Sequence, residues 1–186
     1  MTLYYTTSAG ENEEQYLPQN SLGGYKSSTP VKNDYFDNIF GEISVLTINQ
    51  NRDNYIALVL ENETGADITN VEVWFETNEG CYSNFQVAAV EMVADKNGIL
   101  KMERIREMYN KPFNGTFVST DVDTKALIGD LAIGERVGIW LRRSLDIETI
   151  DADQSTLYEL DPNNRHVYKK IELDTVDTMT FHISWD

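Results

Sequence analysis

A chain of 186 residues is long enough for one well-formed core and too short for two. Acidic side chains outnumber basic ones 31 to 15 for a formal net charge of -16, a surface that repels phosphate backbones and anionic lipid, so neither specific nucleic-acid binding nor membrane binding is expected. A hydrophobic share of 41%, with 10 Tyr, 7 Phe and 3 Trp, supports a packed β core and excludes wholesale disorder.

Residues 1–36 are rich in turn formers: Ser8-Ala-Gly-Glu-Asn-Glu-Glu14, Pro18-Gln-Asn-Ser-Leu-Gly-Gly24 and Ser27-Ser-Thr-Pro30. Large anchors are still spread through them, namely Tyr4, Tyr5, Tyr16, Leu17, Leu22 and Tyr25. The combination predicts an extended N-terminal arm over 1–36 that docks on a neighbouring subunit or back on its own domain, followed by a sandwich domain over 37–186. Met1-Thr-Leu-Tyr-Tyr has no basic region leading into an apolar run, so a chain made and kept in a reducing cytoplasm is expected.

From residue 43 the chain reads as β. Tyr55-Ile-Ala-Leu-Val-Leu60 is apolar on both faces and suits a central strand. After a polar turn around Gly65, Val71, Val73 and Phe75 alternate with Glu72, Trp74 and Glu76, the pattern of a half-buried strand. Asp95-Lys-Asn-Gly98 predicts a hairpin between 85–93 and 99–106, with a helix over 99–109 as the rival because Ile99, Met102, Ile105 and Met108 recur every third residue. Residues 115–119 and 126–131 read as short strands or turns, and 144–166 as an acidic loop. Phe181, Ile183 and Trp185 share one face of a closing strand.

The strand Gly134-Glu-Arg-Val-Gly-Ile-Trp-Leu-Arg-Arg143 ends in two arginines. Strand alternation puts Val137, Ile139 and Leu141 on the core face and Trp140 and Arg142 on the other. Arg142 is expected to reach the arm or a neighbour, Arg143 to close the core side, and at least one to be partly buried against a carboxylate. Short strands at about ten-residue spacing predict an all-β, antiparallel sandwich of immunoglobulin-like or jelly-roll type with the extended arm.

No catalytic, cofactor-binding or metal-binding residue is assigned. Cys81 lies in a polar connection and is alone, which rules out an intrachain disulfide. His166 and His182 have no triad partner in a recognisable motif. Asp151-Ala-Asp-Gln-Ser155 opens like a calcium loop, but Thr156 and Pro162 stand where such a loop needs Gly and Glu. Gly23-Gly24 lacks the Lys-Ser/Thr of a phosphate loop. Lys96, Lys101, Arg104, Arg106 and Lys111 form the one basic concentration, either a solvated face or a dock for the acidic face of another copy.

Three stretches carry a resemblance. Ser21-Leu-Gly-Gly-Tyr-Lys-Ser-Ser-Thr-Pro-Val31 leads into Asn38-Ile-Phe-Gly41; Tyr55-Ile-Ala-Leu-Val-Leu-Glu-Asn62 precedes Asn70-Val-Glu-Val-Trp-Phe75; Leu127-Ile-Gly-Asp-Leu-Ala-Ile-Gly-Glu-Arg-Val-Gly-Ile-Trp-Leu-Arg-Arg143 precedes the aromatic closing strand. The order resembles a family of small β-sandwich structural proteins of tailed bacteriophages, with a Leu-Gly-Gly arm and a Trp-x-Arg-Arg strand. This chain departs from the family at Ala57 or Leu58, where a Cys is usual, and in the length of 144–178.

The resemblance implies a virion component without catalytic residues or cofactor, assembled in the host bacterial cytoplasm. The expected function is a non-enzymatic subunit that forms a homo-oligomeric ring in the neck or tail, at the head–tail connection, beside other virion structural proteins. Its expected contacts are Tyr4, Tyr5, Tyr16, Leu17, Leu22, Tyr25, Arg142 and Arg143. A strongly acidic lining would let DNA slide past. The alternatives are a capsid decoration protein and a carbohydrate-binding sandwich that stacks sugars on Trp74, Trp140 or Trp185.

Overall fold

The strands follow from the alternation of apolar side chains, and their order follows from which faces must be covered. The computed structural model describes residues 1–32, 39–40, 53–79, 81–113, 115–145 and 179–186 in full, and 158–160 and 166–168 as backbone. In chain order the strands are β1 (Thr2–Thr7), β2 (Tyr25–Pro30), β3 (Asn54–Glu61), β4 (Ile68–Thr77), β5 (Ser83–Val90), β6 (Val93–Ala94), β7 (Leu100–Lys101), β8 (Val118–Ser119), β9 (Ala126–Leu131), β10 (Arg136–Leu145), β11 (Tyr158–Leu160), β12 (His166–Tyr168) and β13 (Met179–Ser184). They make an eight-stranded sheet, β6-β7-β2-β1-β3-β10-β5-β8, a three-stranded sheet, β13-β4-β9, and the pair β11-β12. All pairings are antiparallel. The fold is an all-β sandwich, and the described residues include no α-helix.

The two larger sheets pack face to face. Ile56, Leu58 and Leu60 of β3, Ile139 and Leu141 of β10, and Phe85 and Val87 of β5 meet Val71, Val73 and Phe75 of β4, Leu131 of β9 and Phe181 of β13. Each buried aliphatic side chain contributes about 1.5–3 kcal/mol relative to exposure, so this layer dominates the stability. β3 is buried along its whole length because its other face is also covered. There Tyr55, Ala57, Val59, Ala88, Val90 and Trp140 form a second core under Met92, Met102 and Ile105. Residues 102–113 and 115–117 run across this outer face as a cover. Backbone bonds hold it, from Met102 N–H to the Gly24 carbonyl (2.8 Å), Ile105 N–H to Leu22 (3.0 Å) and Tyr55 N–H to Met108 (2.5 Å).

Turn chemistry closes the ends. Asn62 is fully buried, and its side-chain amide donates to the carbonyls of Ala66, Leu131 and Ala132 at 2.8–3.1 Å. One side chain thereby ties the turn after β3 to the turn before β10, and supplies N–H donors to carbonyls of both turns.

Within the segment read as an arm over 1–36, Thr2–Thr7 and Tyr25–Pro30 dock back on their own domain as strands of the larger sheet: β1 pairs with β3 from Thr2↔Glu61 to Tyr5↔Leu58, and β2 lies between β1 and β7. Their side chains are too polar to announce strands, but β3 has an open edge whose N–H and C=O groups require partners. The Asn-Gly hairpin is present with strands of only two residues, β6 and β7. Beyond it, residues 102–113 form neither a long strand nor the rival helix, because Met102 and Ile105 are drawn onto Trp140. Within 144–166, β10 extends to Leu145, and β11 pairs with β12.

Candidate functional site

The anchors expected to make assembly contacts are mostly used inside the chain. The Tyr4 hydroxyl donates to Glu63 Oε1 (2.8 Å), and Lys26 Nζ sits 3.8 Å over its ring. Burial, and then Glu63, push the Tyr4 phenol up to about 12. Tyr5 packs against the main core, and burial raises its pKa as well. Leu22 packs into the second core. The Tyr25 hydroxyl donates to Asp95 Oδ2 (2.9 Å). Only Tyr16 and Leu17 of this set stand out from the surface, Tyr16 at 66% exposed.

The Leu-Gly-Gly segment has a steric reason. Gly23 and Gly24 have φ of +88° and +101°, a region that disfavours any side chain. A Cβ at Gly23 would overlap the Glu103 carbonyl oxygen, and one at Gly24 would lie 2.5 Å from the Thr7 oxygen. The chain is therefore squeezed between β1 and the cover. Beside it the Ser21 hydroxyl accepts from Thr6 N–H (2.7 Å) and donates to the Ala57 carbonyl (2.5 Å), filling the gap where β1 leaves β3.

The two arginines separate as strand alternation demands. Arg143 is 7% exposed on the core side, where it donates to Asn54 Oδ1 (2.9 Å) and the Phe40 carbonyl (3.3 Å) and lies 5.3 Å from the Phe40 ring. Arg142 is half-buried on the opposite side, paired with Asp53 (2.8 Å) and Gln86. Asp53 also accepts the Tyr55 hydroxyl (2.9 Å), and burial with that bond pushes the Tyr55 phenol up to about 12. The carboxylate expected beside one of the arginines is thus Asp53, of the same chain and just before β3, and it is paired with Arg142.

An ionic cluster at the other end of the sheet escaped the sequence reading. Glu61 holds Lys26 (2.9 Å) and Arg136 (2.9 Å), and Arg136 also holds Glu11 (2.5 Å). Lys26, Glu61 and Arg136 stand on β2, β3 and β10, far apart in sequence, and only strand pairing assembles them. Two of the three, Lys26 and Glu61, are buried, so the cluster fixes register more than it adds stability.

Among the described residues no three His, Cys, Asp or Glu side chains gather as a metal site. Cys81 donates to the Ser83 carbonyl (3.3 Å). His182 contacts Glu76 (3.1 Å) and stacks on Trp74, with centroids 4.9 Å apart and 8° between planes. Lys125 lies 4.6 Å over the same indole. Because β4 is the middle strand between β13 and β9, His182 and Lys125 flank Trp74 and leave no free face for a sugar. Trp140 is fully buried, whereas Trp185 is 43% exposed. Asp151-Ala-Asp-Gln-Ser155 lies outside the described residues.

Several large apolar side chains stand exposed. Phe113 projects from the cover at 99% exposure. Val118 on β8, Val122 in the following loop and Leu127 on β9 are exposed too. A groove of about 430 Å³ opens here between β8 and β9, the last strands of their sheets, lined by Val87, Ala89, Val118, Ala126 and Leu127 with Thr and Ser at its rim. In comparisons with known proteins, no family model, no curated protein and no solved structure matches the chain.

Proposed function

We propose that this chain is a non-enzymatic structural subunit that associates with copies of itself, and that it serves in the neck or tail of a tailed bacteriophage particle. The observation that carries the self-association is the exposure of Phe113, Val118, Val122 and Leu127 on a chain of net charge -16. Net charge keeps a monomer soluble, and large apolar side chains left exposed on it supply contact surface. The placement in a phage particle rests on the resemblance. Two of the segments that carry it occupy demanding positions in this fold: Leu22-Gly23-Gly24 makes the pinched crossing under the cover, and Trp140-Leu-Arg-Arg143 sends Trp140 into the second core and Leu141 into the main one. The coverage of Trp74 and Trp140 speaks against the glycan reading.

The test has two parts. Sedimentation velocity of the purified chain should show a discrete oligomer, and a monomer at every concentration would refute self-association. Mass spectrometry of purified particles from a lysate of cells carrying this sequence should recover its peptides. Labelling with a specific antibody then separates a neck or tail position from capsid decoration. Absence of the chain from such particles would refute the virion role.

A further inference from the structure

We propose that Phe113 of one copy seats in the groove between β8 and β9 of another copy. The proposal rests on the self-association reading and names the surfaces that perform it. The donor is a single aromatic ring, wholly exposed, on a segment anchored just before it. Pro112 is buried, and the Phe113 N–H is held by the Glu103 carboxylate at 2.9–3.1 Å. Phe113 is therefore presented and not floppy, which lowers the ordering cost of binding.

The acceptor is the open edge of the sandwich. Val87 is buried in the main core, but Ala89, two residues on and on the same face of β5, is exposed because no described residue covers it. Ala126 and Leu127 close the groove from the other sheet, and Leu127 is 65% exposed. The groove is thus apolar at its floor and wide enough for an aromatic ring.

Charge selects a second copy as the occupant. The cover segment that ends in Phe113 carries Arg104, Arg106 and Lys111, all exposed and none in an ion pair among the described residues, against Glu103, which holds the Phe113 N–H, and Glu107, so its balance is positive on a strongly acidic chain. The loop beside the groove presents Asp121 and Asp123, both exposed. Lys125, the one cation lining the groove among the described residues, is neutralised by Glu72 at 3.1 Å. The positive balance of the cover thus complements the acidic loop beside the groove on the same chain. Each copy carries both the ring and the groove, so each can give and receive the contact.

The experiment is sedimentation velocity of the full chain over a concentration series, with circular dichroism melts as the folding control. Phe113→Ser and Leu127→Lys alter exposed side chains and should melt like the wild type. Each should raise the dissociation constant about ten- to a hundredfold, the change expected for one buried aromatic side chain. A 1:1 mixture of the two variants should recover pairs that do not extend, since one keeps its groove and the other keeps its ring. Asp123→Lys should weaken association, and adding Lys111→Glu should restore it; no recovery overturns the ionic register. A wild type that oligomerises while both apolar variants behave identically to it overturns this contact and leaves self-association standing. A wild type that never associates overturns both.

Discussion

Replacing Gly23 with Ala tests the pinched crossing that the Leu-Gly-Gly segment makes under the cover. Two costs arise. A non-glycine residue at φ +88° carries roughly 1–2 kcal/mol of backbone strain. The new Cβ also overlaps the Glu103 carbonyl oxygen and would lie 2.9 Å from its carbon, and backbone cannot rotate aside as a side-chain tip does. Forcing that contact costs about 1–3 kcal/mol, as overpacking does elsewhere. The sum, about 2–5 kcal/mol, is a large share of the 5–15 kcal/mol that holds a typical domain together. Gly65 is the control. Its φ is +85°, but nothing lies within 4 Å of its would-be Cβ, so Gly65→Ala should carry the strain alone. Urea unfolding of the two variants, followed by tryptophan fluorescence, measures the difference. If Gly23→Ala is no less stable than Gly65→Ala, the cover is loosely seated and the packing argument fails.

Other outcomes follow from the same geometry. Ser21→Ala leaves the buried Thr6 N–H and Ala57 carbonyl without their side-chain partner and should cost about 1–3 kcal/mol in the same unfolding assay; a loss below the scatter would show that water replaces the hydroxyl. Arg143→Ala should lower stability by about 1.5–3 kcal/mol through its bonds to Asn54 and Phe40, whereas Arg142→Ala, at a half-exposed pair, should cost about 0–1 kcal/mol; equal melting temperatures would contradict the difference in burial. Tyr4 and Tyr55 have phenols raised from 10.0 to about 12, so their contribution is complete below pH 10 and is lost as the pH climbs toward 12. An absorbance titration of the tyrosines should therefore show two late ionisations coupled to alkaline unfolding, and ionisation of all tyrosines near 10 without unfolding would refute it.

What the sequence by itself determined is the part governed by local period. The run Tyr55–Leu60, apolar at every position, demanded cover on both faces, and β3 has it. Alternation along 71–76 and 137–143 assigned each side chain its face, including the split between Arg142 and Arg143, because side-chain direction in a strand depends only on position parity. Asn97-Gly98 marked a reversal for an equally local reason, the positive φ of +80° at Gly98. The tertiary structure alone decided the rest. Thr2–Thr7 and Tyr25–Pro30 are strands because β3 offers an open edge and backbone bonds do not depend on side-chain pattern. The every-third-residue pattern of Ile99 to Met108 suggested a helix; instead Met102 and Ile105 serve as lids over Trp140, a requirement set by a strand some 35 residues away. The Lys26–Glu61–Arg136 cluster and the meeting of β8 with β9 at one groove also depend on pairing between distant segments. Partial burial of Tyr4, Tyr5 and Tyr25 followed from that pairing, which leaves Tyr16 and Leu17 exposed along with Phe113 and Leu127.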